Sequence, residues 1–183
     1  PNRRNFYPQT LVRGRPVFPH EEIYRRALLA PRGTDLLARI HAGPDIRILV
    51  GRPPEWAGPA ATMLLGLVGE RAELVLGGGV HARWGRRVGF QPEIVSVRSC
   101  RSLEEVVELI LHSSCTPPAL PLYRRNGRPV LDGGIIDSVP VEAVPDASRT
   151  LVLLSRVWPG SMLPKVPGRT YVQPSQPVPI SAW

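Results

Sequence analysis

The sequence has little lysine and no stripe of basic residues. A single lysine, Lys165, stands beside 22 arginines, and the formal net charge is +8. The arginines are scattered singly or in pairs and do not alternate with aromatic residues, as they would along a groove for single-stranded nucleic acid. We therefore expect no nucleic acid as a partner, and a basic nucleic-acid-binding domain stays an alternative that charge alone supports. The same charge suits peripheral contact with an anionic membrane.

Cysteine and long apolar runs are scarce as well. The two cysteines, Cys100 and Cys115, form no Cys-x-x-Cys pair and have no histidine at metal-ligand spacing, so the sequence implies no metal and no cofactor. We expect both to be reduced, partly buried thiols in a cytoplasmic protein. No segment reaches the ~20 apolar residues of a membrane-spanning helix. The sequence starts at Pro1 without a targeting segment, and we expect the beginning of the domain to be missing.

Apolar residues make up 43% of the chain, which is typical of one globular domain or a large part of one. Their periodicity predicts strands and helices in alternation, and this indicates an α/β fold with a covered sheet. Strands are predicted at 46–50, 94–97 and 150–154, and helices at 21–29, 34–40 with Thr34 as the cap, 59–75 and 103–112. We expect the helix at 59–75 to be buried. The all-apolar strand at 150–154 should be buried on both faces and parallel to its neighbour.

Three parts of the chain have weaker patterns. Residues 1–19 are predicted to be an irregular entry segment. Within 77–89, the glycines Gly77 to Gly79 favour a loop, whereas apolar residues at every fourth position favour a helix. Residues 159–183 are predicted to be an extended, proline-rich tail that Tyr171 helps to pack onto the domain.

Two local signals in the middle of the chain are strong. Ser102 and Glu105 form a capping box, which predicts the start of the helix at 103–112. Asn126-Gly127 lies between two short runs and predicts a hairpin, because both central residues of a type I′ turn need positive φ. The second arm of this hairpin leads directly into Asp132.

Asp132 is followed by Gly133 and Gly134, and this is the best candidate for a reactive group. Glycines remove the Cβ atoms, so the backbone can turn sharply and a reacting group can approach the carboxylate closely. Active sites of covered sheets lie at such exits from strands. The alternative is an ordinary turn, in which Asp-Gly is common. Asp137 is expected to orient the following loop.

The segment from Val130 to Val141, Val-Leu-Asp-Gly-Gly-Ile-Ile-Asp-Ser-Val-Pro-Val, resembles the aspartate motif of the patatin-like phospholipases. That motif is an apolar residue, Asp-Gly-Gly or Asp-Gly-Ala, an apolar pair, Asp or Asn, and a proline three residues later. The Ser113-Ser114 helix end, the proline-containing loop after it and the hairpin are also similar to the family. The specific similarity covers residues 102–145.

The resemblance implies a three-layer α/β/α fold with a mostly parallel central sheet, here incomplete at the N-terminus. Residues 1–183 would be the C-terminal part of one acyl hydrolase domain. It also implies a Ser–Asp dyad that cleaves phospholipids or other acyl lipids, with Asp132 as the general base and Gly133 and Gly134 as its backbone support. In this family the aspartate takes the serine's proton directly, without a histidine.

The nucleophile that the family requires is missing from the sequence. No serine lies in a Gly-x-Ser-x-Gly pattern, and in Gly160-Ser161 the glycine is adjacent to the serine. Gly77 to Gly79 resemble the family's oxyanion loop only superficially, since no nucleophile motif follows them, and they are predicted to be structural. We expect the serine to lie upstream of Pro1 and this chain alone to be inactive. A non-catalytic relative that serves as a binding or regulatory module is the alternative.

The remaining titratable residues have no motif around them. We expect none of the four histidines to be catalytic, and His112 to be stabilised at the end of its helix by the helix dipole. The other aspartates at cap or turn positions are predicted to be structural. The residues concerned are His20, His41, His81, His112, Asp35, Asp45 and Asp146.

Overall fold

The computed structural model describes residues 20–29, 35–75, 80–81, 84–117, 120–144 and 148–176. The predictions for residues 1–19, Thr34, Gly77 to Gly79 and Asp146 lie outside these ranges. The helices are α1 (His20–Leu29), α2 (Leu36–Ala42), α3 (Pro59–Val75), α4 (Trp84–Arg87) and α5 (Leu103–Ser113). The strands are β1 (Arg47–Arg52), β2 (Gln91–Ser96), β3 (Arg124–Arg125), β4 (Arg128–Pro129), β5 (Leu131–Asp132), β6 (Thr150–Leu153) and β7 (Arg169–Val172).

The main sheet has three strands in the order β2-β1-β5, and both pairings are antiparallel. In the register, Arg47 faces Ser96 at one end of β1, and Val50 faces Asp132 near the other. The prediction of a mostly parallel central sheet is therefore wrong for the described residues, where only the separate β6–β7 pair is parallel. An apolar run such as Ile48-Leu49-Val50 indicates that a strand is covered on both faces. It does not determine the direction of the neighbouring strands, so the sequence pattern could not exclude this arrangement.

Helices cover both faces of this sheet, as expected for an α/β fold. Val50 packs with Val106 and Leu109 of α5 on one face, together with partly buried residues of α2. Its neighbour Leu49 packs on the opposite face with Phe90 and with Leu65 of α3. Since successive side chains of a strand point to opposite faces, β1 separates two apolar cores. The strand that carries Asp132 lies beside this central strand.

Helix α3 is confirmed in position but is less buried than predicted. Thr62 and Gly66 are buried, and Gly66 packs close to the Leu131 side chain. Four apolar residues on its other side are exposed by 38–61%: Met63, Leu64, Leu67 and Val68. Residues 59–69 of this helix are small or apolar on every side, so their pattern could not show that only one face would find a partner among the described residues.

The capped helix and the hairpin form as predicted. The Ser102 hydroxyl accepts a hydrogen bond from the Glu105 amide at 3.2 Å, and the Glu105 carboxylate accepts one from the amide of Arg101 at 2.7 Å. Asn126 and Gly127 have φ of 52° and 74°, the positive values that a type I′ turn needs. Both structures depend on contacts within a few residues, which explains why the sequence predicts them well.

The C-terminal part forms a separate strand pair. Strands β6 and β7 run parallel from Thr150↔Arg169 to Leu153↔Val172, which confirms the parallel pairing of the segment at 150–154. Burial on both faces is wrong, because Leu151 and Leu153 are 63% and 72% exposed. The other face packs with Val80 and with Tyr171. Strand β7 lies within the segment predicted to be an extended tail, so that tail is partly regular.

Candidate active site

The main-sheet ladder positions Asp132 at the end of strand β5. Its backbone pairs with Val50 of the central strand, and its amide donates a hydrogen bond to the Cys115 carbonyl at 2.8 Å. Cys115 follows helix α5, so the residue is attached on one side to the sheet and on the other to the end of that helix. Bonds to two separate elements fix the backbone from which the carboxylate projects.

The Asp132 carboxylate is held by the turn that follows it. Its Oδ1 accepts a hydrogen bond from the Gly134 amide at 2.7 Å, and the side chain is half-buried. The Gly133 carbonyl then accepts bonds from the amides of Ile136 at 2.9 Å and Asp137 at 3.1 Å. The segment from Asp132 to Asp137 is therefore one compact, internally hydrogen-bonded turn. The structure thus places Asp132, Gly133 and Gly134 in the same turn.

Gly133 is required by close packing of the backbone. A Cβ at this position would lie 2.8 Å from the Leu49 carbonyl carbon and closer still to its oxygen. At Gly134 a Cβ would instead lie 3.1 Å from Asp132 Oδ1. The first glycine allows the turn to pack against β1, and the second allows its amide to approach the carboxylate. Both agree with the support role predicted from the sequence, which stays a prediction until it is tested.

Asp137 holds the second half of the loop, as the sequence indicated. Its Oδ1 accepts a hydrogen bond from the Val139 amide at 2.8 Å, and its Oδ2 lies 3.2 Å from Nδ1 of His81. Burial raises the pKa of Asp137, against the opposing effects of the Val139 amide and of His81. The carboxyl group is thus a partly desolvated group with two named partners.

The contacts of His81 join residues that lie far apart in the sequence. Its Nε2 lies 2.8 Å from the Tyr171 hydroxyl, which also accepts a hydrogen bond from Arg169 at 3.3 Å. An ionised carboxylate only accepts hydrogen bonds, so Nδ1 of His81 is the donor to Asp137, whereas either group can donate in the bond between Nε2 and the Tyr171 hydroxyl. No sequence motif could have shown this, because His81 is 56 residues from Asp137 and 90 from Tyr171.

A cleft of about 240 Å³ lies beside this network. His81, Asp137 and Arg169 line it, together with Arg86 and Glu142, which form an ion pair. Asp132 is not one of its lining residues. The cleft therefore belongs to the loop after the Asp132 motif rather than to the carboxylate of Asp132 itself.

The burial and the hydrogen bonds of four other candidate residues indicate structural roles. Burial, and after it the charge of the nearby Arg125, lowers the pKa of His112, whose Nδ1 is buried. A lowered pKa disfavours the charged ring, whereas the helix dipole was expected to stabilise it. The thiols of Cys100 and Cys115 are free and buried, and burial raises the pKa of Cys115 to about 11. Hydrogen bonds from Ser96, and then from Arg47, lower the pKa of Asp45, which agrees with a structural role.

The comparison with known families decides the classification. The model of the patatin-like phospholipases matches residues 9–145, a range that contains the whole turn from Asp132 to Asp137. The chain belongs to the patatin-like phospholipase family. Neither a curated protein nor a solved structure gives a significant match.

Membership of the patatin-like phospholipases implies an α/β fold, acyl hydrolase activity and lipid substrates. Strands β6 and β7 lie beyond the matched range. Across the described part of this patatin-like chain, no helix has the length and apolarity to cross a bilayer. Within the same residues, no group of three or more His, Cys, Asp and Glu side chains could hold a metal ion.

Proposed function

We propose that this chain supplies Asp132 as the general base of a serine-type lipid acyl hydrolase. The observation that carries the proposal is the geometry of the turn. A carboxylate at the end of a fixed strand is oriented by the Gly134 amide, and the absence of a side chain at Gly133 lets the turn pack against β1. A base must be positioned before its pKa matters, and this turn supports such positioning.

In the proposed reaction, a serine hydroxyl attacks the ester carbonyl carbon of an acyl lipid. Asp132 accepts the hydroxyl proton as the C–O bond forms, and the proton then passes to the leaving alcohol as the ester bond breaks. Water next attacks the acyl-enzyme, gives a proton to Asp132 and releases the fatty acid, and this proton returns to the serine oxygen. No other base is required for either step.

The serine would come from outside these 183 residues, since none of their serines lies in a Gly-x-Ser-x-Gly pattern. Residues 1–183 would then form the C-terminal part of a single catalytic domain, inactive by itself. The substrates would be phospholipids or other acyl lipids. The excess of arginine supports attraction to anionic membrane surfaces that carry them.

Substitution of Asp132 in the full-length protein tests this function. Asp132→Asn keeps the shape and the Oδ1 acceptor but removes the base, and it should lower kcat on a soluble acyl ester by about 10²- to 10⁴-fold. Asp45→Asn is the matched control, because Asp45 is an exposed carboxylate with its own hydrogen bonds. Circular dichroism verifies that both variants fold. Unchanged turnover in a folded Asp132→Asn variant would remove the assignment.

A non-catalytic binding or regulatory module is the second candidate, and the missing Gly-x-Ser-x-Gly pattern favours it. A fluorophosphonate probe separates the two functions, because it labels an activated serine. Labelling of the full-length protein that is lost in Asp132→Asn supports the hydrolase. A full-length protein that binds acyl-lipid vesicles but takes up no probe supports the module.

A further inference from the structure

The strand pair β6–β7 packs onto the loop that follows Asp132. Val152 and Leu154 lie in one apolar core with Val80, and Val139 and Tyr171 pack against them. Val139 belongs to the loop, whereas Tyr171 belongs to β7. The strand pair, which lies beyond the residues that match the family, therefore contacts the loop that follows the proposed base.

A polar chain crosses this apolar contact. Arg169 donates to the Tyr171 hydroxyl, which lies 2.8 Å from Nε2 of His81, and Nδ1 of His81 donates to the Asp137 carboxylate. Neighbouring hydrogen bonds in such a chain polarise one another. Contacts at both ring nitrogens hold the His81 ring in one orientation.

The path from His81 to Asp132 is short. Asp137 bonds its amide to the Gly133 carbonyl at 3.1 Å, and Gly133 directly follows Asp132, whose carboxylate accepts from Gly134. Movement of Asp137 would therefore displace the Gly133–Gly134 peptide, whose amide donates to the proposed base. Two hydrogen bonds connect the histidine to that peptide.

We propose that His81 is a positioning residue for Asp132, and that Tyr171 of the C-terminal strand pair sets its ring. The inference rests on the proposed function insofar as it concerns catalysis. His81 holds Asp137, and through it the turn whose Gly134 amide orients the Asp132 carboxylate.

The first test needs no activity. Amide hydrogen exchange at Gly134 is measured in the full-length protein and in His81→Ala. Loss of the anchor at Asp137 should loosen the turn, and the Gly134 amide should exchange about tenfold faster or more, while the amides of the capped helix α5 stay protected. Unchanged exchange at Gly134 in a folded His81→Ala variant would overturn the proposal.

The second test compares kcat and KM on a soluble short-chain ester. His81→Ala should lower kcat by about tenfold to a hundredfold with little change in KM, because a small displacement of a reacting group costs rate rather than binding. His81→Asn places an amide donor near the position of Nδ1 and should restore most of kcat. An equal loss in the alanine and asparagine variants would contradict the role of the Asp137 bond.

Tyr171→Phe removes only the hydroxyl and should cause a smaller fall in kcat. Tyr123→Phe is its matched control, since Tyr123 is a half-buried tyrosine whose hydroxyl bonds to Glu21 at the surface. If Tyr171→Phe and Tyr123→Phe behave alike, the strand pair does not set the ring. If His81→Ala does not fold, the positioning role is tested with His81→Asn, which should keep most of kcat, and with Tyr171→Phe against Tyr123→Phe.

The two proposals can fail separately. Loss of activity in Asp132→Asn together with unchanged kcat in His81→Ala retains the hydrolase and removes the positioning role. Fast exchange at Gly134 in His81→Ala together with full activity in Asp132→Asn retains the structural coupling and removes Asp132 as the base.

Discussion

Gly133→Ala would force two backbones apart at the centre of the fold. The new Cβ would lie 2.8 Å from the Leu49 carbonyl carbon and 2.9 Å from its Cγ, whereas ordinary contacts begin at 3.4 Å. The neighbouring atoms must therefore separate by roughly 0.6 Å, and by more at the carbonyl oxygen. Leu49 lies in β1, which is hydrogen-bonded on both sides to β2 and β5. The strand cannot shift without disturbing one of these ladders.

The expected cost follows from this contact. Overpacking of an interior costs about 1–3 kcal/mol, and a clash with a backbone that cannot rotate away should be near the upper value. A loss of about 3 kcal/mol would lower Tm by roughly 6–12 °C in a chain of 150–250 residues and by less in a longer one. The measurement is thermal unfolding of the full-length protein by circular dichroism.

Two other glycines serve as controls. At Gly160 a Cβ would meet no atom within 4 Å, so Gly160→Ala should leave Tm nearly unchanged. At Gly134 the nearest atom is Asp132 Oδ1 at 3.1 Å, a side-chain atom that can move. Gly134→Ala should therefore fold but misplace the carboxylate and reduce turnover. A Gly133→Ala protein as stable as Gly160→Ala would refute the close packing on which the site depends.

Two further predictions concern the pH dependence and the capped helix. Burial raises the pKa of Glu93, but hydrogen bonds and charges of Arg52 and Arg125 outweigh burial and hold this pKa below the ordinary value of a glutamate. As pH falls through the acid range, the unfolded state therefore binds more protons than the folded state, and the free energy of unfolding decreases. Glu93→Gln should weaken this loss of stability in acid, measured by denaturant titration at several pH values, whereas Glu55→Gln should not. An equal dependence of the free energy of unfolding on pH in the two variants would contradict the prediction. Ser102→Ala removes the N-cap bond to Glu105 and should cost about 1 kcal/mol, or roughly 2–4 °C in Tm. Ser175→Ala at an exposed position is its control, and equal melting of the two would show that the cap contributes nothing.

Sequence patterns predicted the local structures with the most accuracy. The helix cap at Ser102 and the Asn126-Gly127 turn formed as expected, since each depends on backbone groups within a few residues. The Glu105 carboxylate bonds to the amide of Arg101, one residue before the position that a capping box uses. Strand ends were less accurate: β1 extends to Arg52 and β2 begins at Gln91. Strand ends depend on the partner strand, and here each strand extends as far as the other does.

The apolar patterns gave a less accurate account of burial. Helix α3 and strand β6 were expected to be covered on all sides, yet Leu64 and Leu153 are exposed. Apolar composition measures the free energy available from burial, but a face becomes buried only where another element packs against it.

One part of the candidate site could be predicted from the sequence, and another part could not. The order Asp132-Gly133-Gly134 was enough to indicate a tight turn with an oriented carboxylate, because glycine alone allows such close approach of backbones. The amino-acid sequence by itself thus determined the turn, the helix cap, the hairpin and membership of a lipid acyl hydrolase family. Tertiary structure alone decided the antiparallel main sheet and the meeting of His81 with Asp137 and Tyr171. Contacts over 56 and 90 residues form only when whole elements pack, and no pattern within a short segment specifies which partners will meet.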